Sequence, residues 1–183
     1  MKHDKIVQQL IADAESDSNI LGFLLFGSVA TGTQREDSDI DTITILTTSK
    51  PGSGINNTFV DGIKVGDIFL TYDILVHSVK TVPYLLHPFE NAKLLYDRDG
   101  VVQPLIDEVR SYFTAQPEIV DEWNTYYAQL KVEKAQFGYE KTTIIDVWNE
   151  LEKRHSGGRT RRQFFNSFYM TNPLIFSILK KFL

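Results

Sequence analysis

The chain has 183 residues, 42% of them hydrophobic, no cysteine and a formal net charge of -5, enough apolar content for one well-buried domain or a domain with a helical appendage. The acidic balance argues against a protein that coats nucleic acid and leaves nucleotides open as small ligands. The lack of cysteine excludes both a disulfide framework and a thiolate metal site, and "MKHDKIVQQLIADAESD" is too charged for a signal peptide. No later segment reaches membrane-spanning length without a charge, so the expected location is the cytoplasm.

Ile6, Leu10, Ile11 and Ala14 recur at helical spacing after Asp4, a candidate cap, and predict an amphipathic helix over residues 4–16. "NILGFLLFG" is a short continuous apolar run ending in glycine and fits a strand buried on both faces. "IDTITILTT" is the second strand: it sets Asp41, Ile43 and Ile45 on one face and Thr42, Thr44 and Leu46 on the other. "SKPGSGINN" reads as a turn-rich loop. Asp61-Gly62 within "TFVDGIKVGDIFLT" is the strongest short-range hairpin signal and starts a third strand near Ile63 that ends near Thr71. "YDILVHSVKTVPYLL" is a helix interrupted by Pro83, and "AKLLYDRDG" a short strand turning at Asp97 to Gly100. Helical periodicity then takes over, in "VVQPLIDEVRSYF" and over 118–137, 140–155 and 160–182. Strands first and helices second is an α+β pattern: a sheet domain, 1–116, and a helical C-terminal region, 117–183, with the boundary near Gln116-Pro117.

Charge at the start of a buried strand needs a reason. Asp39 and Asp41 lie two apart, so on a strand they share a face with Cα atoms about 6.6 Å apart. Their repulsion, roughly several kcal/mol at a dielectric near 20, calls for protonation, water or a divalent cation. Magnesium suits an all-oxygen site, since it takes one or two carboxylates and completes its shell with water and substrate phosphates. Gly27-Ser28 supplies a phosphate-binding turn: glycine lets the backbone approach a ligand, a helix opening at Ser28 directs N–H groups outward, and Ser28 can donate its hydroxyl. A third carboxylate would complete a two-metal site. Asp67 in "KVGDIFL" is the better candidate, and Asp73, where a capping role is the plainer reading, comes second. Other motifs fail on spacing. Thr33-Gln34 replace the Lys and Ser/Thr of a Walker loop, and Thr42 and Thr48 stand where a calcium loop needs glycine and glutamate. Ser28 sits in no nucleophile elbow, and the four histidines lack zinc-ligand spacing and read as structural or surface.

Gly-Ser followed ten residues later by Asp-x-Asp, here "GSVATGTQREDSDID", resembles the signature of the DNA polymerase β-like nucleotidyltransferase superfamily, in particular the minimal nucleotidyltransferases and antibiotic adenylyltransferases. The resemblance covers roughly the first hundred residues. It implies a mixed sheet flanked by helices, with Gly27 and Ser28 on the nucleotide phosphates and Asp39 and Asp41 on two Mg2+ ions. Asp67 would be the third acidic ligand or the base. The implied reaction is attack of an acceptor hydroxyl on the α-phosphorus of a nucleoside triphosphate, with ATP the expected donor and pyrophosphate leaving. Three readings follow. The first is transfer of AMP to a small hydroxylated acceptor such as an antibiotic, with the helical region as one wall of its pocket. The second is the same chemistry on a partner toxin, as in antitoxin-type protein adenylyltransferases. The third, a non-catalytic nucleotide-binding module, needs the third carboxylate to be missing or misplaced, and Asp67 pointing away from Asp39 and Asp41 would favour it.

"KRHSGGRTRR" gathers five cations that could attract triphosphate, a phosphorylated acceptor or RNA, although an exposed interhelical loop is the plainer reading. Trp123, Tyr126, Tyr127 and Phe137 either line an acceptor pocket or belong to a core, and the core is the commoner case. "FFNSFYM" and "LIFSILKKFL" call for burial, inside a helical bundle or against a second copy in a homodimer.

Overall fold

The computed structural model describes residues 2–48, 54–139 and 141–156. The elements run α1 (Lys2–Ser16), β1 (Ile20–Phe26), α2 (Gly27–Thr31), β2 (Ile40–Leu46), β3 (Ile55–Val60), β4 (Ile63–Thr71), α3 (Tyr72–Thr81), β5 (Lys93–Asp97), α4 (Gln103–Ala115), α5 (Pro117–Phe137) and α6 (Ile144–His155). They fall into two compact units, Met1–Thr114 and Ala115–Leu183. The helix expected over 160–182, its two apolar segments and the arginines at 159, 161 and 162 lie outside the described residues.

In the first unit a five-stranded sheet has the order β3-β4-β2-β1-β5. Only β2 and β4 pair in parallel; every other neighbour is antiparallel, giving the mixed sheet expected of the family. The apolar stripe of α1 places Ile6 and Val7 over Leu25, Ile40, Ile63 and Val65, and Ala14 over Ile20, Phe23 and Leu46. The even-numbered residues of β2 therefore face α1. The odd-numbered face carries Ile43 and Ile45, fully buried and paired with Leu24 and Gly22 of β1. Gly22 admits the start of α4, because a Cβ there would lie 2.8 Å from the Val102 side chain. Both strands flanking Asp61-Gly62 meet in a tight turn with φ of 50 and 77°, the left-handed pair that a two-residue hairpin needs.

Several local boundaries differ from expectation. Residues 55–57, read as loop, continue into β3, because pairing with β4 satisfies their backbone. Helix α1 begins at Lys2, so Asp4 sits in its first turn rather than capping it. Thr71, not Asp73, caps α3 by accepting the N–H of Ile74 at 3.4 Å. Asp97 caps α4 from the end of β5, accepting the N–H groups of Val102 and Gln103 at 3.1 and 2.9 Å.

In the second unit Ile119, Trp123, Val147 and Leu151 are buried, and Trp123 stacks on Tyr127 with centroids 5.6 Å apart. Glu122 of α5 meets Arg154 and His155 of α6, both at 3.3 Å. Glu133 organises the intervening loop by accepting the N–H groups of Lys141 and Thr142. A capping box between Thr143 and Asp146 then starts α6.

Candidate active site

The site is built where β1 ends and β2 begins. Phe26 is opposite Asp41, and Asp41 is in turn beside Gly66 of β4. Gly27 turns the chain out of β1 with φ +68°, a conformation that favours glycine. A Cβ at Gly27 would also lie 2.5 Å from Asp41 Oδ2, and one at Gly66 would lie 3.5 Å from Asp41 Oδ1. The Asp41 carboxylate thus occupies the gap that two glycines leave. Helix α2 opens at Gly27, one residue before Ser28, and closes on Gly32 in the left-handed region.

Burial raises the Asp41 carboxyl above the usual carboxylate range, the charge of Asp39 adds to this, and Lys64 offsets part of it. Lys64 donates to Asp39 Oδ2 at 3.0 Å, with both side chains about two-fifths exposed. The loop leading to Asp39 is tied to α1, since buried His3 bonds the Ser38 carbonyl through Nε2 at 2.9 Å. Asp39, Asp41, Gly27 and Ser28 are therefore neighbours at one corner of the sheet.

Asp67 is not brought to that corner. It pairs with Thr42, one residue out of phase with Asp41, and the alternation of side chains puts it on the opposite face. There its carboxylate accepts the Thr44 hydroxyl at 2.9 and 3.1 Å. The role of third acidic ligand or base expected of Asp67 is corrected accordingly: the neighbour of Asp41 on its own face is Gly66. Among the described residues no three His, Asp or Glu side chains converge closely enough to hold a metal ion.

Three residues of this corner are not singled out from the sequence: Lys64 lies within the expected third strand, His3 is among the histidines read as structural or surface, and Asn57 falls in the segment read as loop. Asn57 pairs with Gly66, and its Oδ1 would lie 3.5 Å from a Cβ there, so it flanks the glycine from the far side. Ile55 and Phe59 share that face of β3 and are 67% and 73% exposed, an apolar outer edge to the site. The Asp61-Gly62 turn fixes the pairing of Asn57 with Gly66 and of Phe59 with Lys64, but only the pairing of β4 with β2 brings that hairpin to Asp41.

The other candidates have local partners. Lys153 and Arg154 pair with Glu150 and Glu122 of their own unit. Trp123 is core. Phe137 is 45% exposed and carries the Lys141 ammonium 3.4 Å above its ring. Among the described residues no helix is long and apolar enough to cross a membrane.

No curated protein matches the chain. Among solved structures, a nucleotidyltransferase-like protein from Exiguobacterium sibiricum 255-15 is similar over 98% of this chain and 80% of its own, with 8% identity and a TM-score of 0.44. The family described as polymerase beta, nucleotidyltransferase matches residues 8–100, the span that contains Gly27, Ser28, Asp39 and Asp41. The chain belongs to this nucleotidyltransferase family, and the chemistry of that family is nucleotidyl transfer.

Proposed function

We propose that the protein transfers AMP from ATP to a hydroxyl of a small acceptor, with Asp39 and Asp41 as ligands of Mg2+ and the Gly27-Ser28 turn against the triphosphate. The observation that carries this reading is the Asp41 carboxylate seated between Gly27 and Gly66 with Asp39 on the same face. A close, partly buried acidic pair is costly without a cation, and two carboxylates plus phosphate oxygens fit a divalent ion. When bound, such an ion neutralises charge developing on the phosphoryl oxygens. The chain's own contribution is alignment. The acceptor oxygen bonds to the α-phosphorus, the bond from that phosphorus to the bridging oxygen breaks, pyrophosphate departs and the hydroxyl proton passes to solvent.

The small acceptor is taken as the first reading and a protein acceptor as its alternative; β3, the edge strand beyond β4, exposes the apolar side chains of Ile55 and Phe59. The test is incubation with ATP and Mg2+ against a panel of polyols that includes aminoglycosides and lincosamides. Pyrophosphate release with an acceptor gaining AMP is expected from the wild type and not from Asp39→Asn. The placement of Asp67 favours one second reading, a module that binds nucleotide without turning it over. Tight binding with no turnover on any small or protein acceptor would select it.

A further inference from the structure

We infer that Lys64 is a built-in cation of this site, so that the Asp39–Asp41 pair holds a single divalent ion and the lysine supplies the remaining positive charge. The inference rests on the proposed nucleotidyl transfer and names how its charge is balanced. Lys64, Gly66, Asp39 and Asp41 share one face of the sheet, and the lysine ammonium is 3.0 Å from Asp39 Oδ2. Among the described residues, no carboxylate of β2 or β4 other than Asp41 lies on that face. Gly66 stands beside Asp41, and Asp67 is turned toward Thr44. A lysine carries the same charge as one carboxylate and one divalent ion taken together. Replacing that pair by Lys64 therefore leaves the net charge around a bound triphosphate unchanged, whereas two divalent ions beside Lys64 would add mutual repulsion at short range.

Lys64 has opposite effects on the two ligands. Its ammonium competes with a divalent ion for Asp39 in the free protein, and it attracts polyphosphate. The experiment counts Mn2+ by electron paramagnetic resonance in wild type, Lys64→Met and Lys64→Arg, with and without the α,β-methylene analogue of ATP. One Mn2+ per wild-type chain is expected with the analogue bound. Lys64→Met should bind Mn2+ alone about tenfold more tightly and the analogue about tenfold more weakly, and Lys64→Arg should stay near wild type. A variant that had merely lost its local structure would weaken both. Two Mn2+ per wild-type chain, or no change in either affinity in Lys64→Met, overturns the role of Lys64 while leaving nucleotidyl transfer standing. No binding of Mn2+ or analogue by the wild type overturns both.

Discussion

Gly27 is where backbone conformation and site chemistry depend on one atom. Its φ of +68° and the 2.5 Å approach to Asp41 both forbid a side chain. Gly27→Ala should cost about 2 kcal/mol of stability and abolish transfer, since either the turn or the carboxylate must move. Gly32 makes the control: its φ is +74° but a Cβ there meets only open space, so Gly32→Ala should cost about 1 kcal/mol and keep activity. Urea unfolding and pyrophosphate release on the two variants check the contrast. His87 gives a pH signature away from the site. Burial holds it down to about 4, against Phe113 in edge contact at 5.7 Å. A base depressed in the folded state lets the unfolded chain take up the proton first. Stability is therefore constant above pH 6.5 and falls as pH drops from 6.5 toward 4. The loss from pH 7 to 4.5 should be about 2 kcal/mol, partly offset by Glu90, which burial raises. His87→Leu should flatten this fall in urea unfolding; an unchanged slope would refute the assignment.

Elements were legible in the sequence where period and punctuation agreed. The β-branched run of β2, the Asp61-Gly62 turn and the Pro83 stop all stand in the structure. The faces of β2 were legible too, because alternation within one strand is local. The face of Asp67 was not. It depends on the parallel pairing of β2 with β4, which no local signal fixes, and a slip of one residue would have set Asp67 beside Asp41. Lys64 and Asn57 were missed for the same reason, since each reaches the site only through register. Helices α5 and α6 give their own test. Trp123 is 1% exposed and stacked on Tyr127, so Trp123→Ala should cost about 3–5 kcal/mol in thermal or urea unfolding of the second unit. A loss under 1 kcal/mol would mean that Trp123 is not part of its core.

Asp39 and Asp41, the close carboxylate pair of the sheet unit, lie where the central strand β2 begins. Two strands joined through residues 27–39 come together as antiparallel neighbours and bring Gly27, Ser28, Asp39 and Asp41 to one corner. The helical unit has its own buried residues and its own carboxylate-bound loop, in which two backbone N–H groups, the Gln129 amide and the Thr142 hydroxyl hold Glu133 down to about 2. The acceptor was illegible because specificity lies in shape and exposed edges rather than in a spaced motif. On the proposed function, the Asp39–Asp41 corner binds nucleotide through a divalent ion. Calorimetric titration of the α,β-methylene analogue of ATP into wild type and Asp41→Asn, with and without Mg2+, tests it most directly. Mg2+-dependent binding by the wild type, reduced at least a hundredfold in a folded Asp41→Asn protein, is the predicted result. Equal affinity in the two proteins, or binding indifferent to Mg2+, would contradict the account.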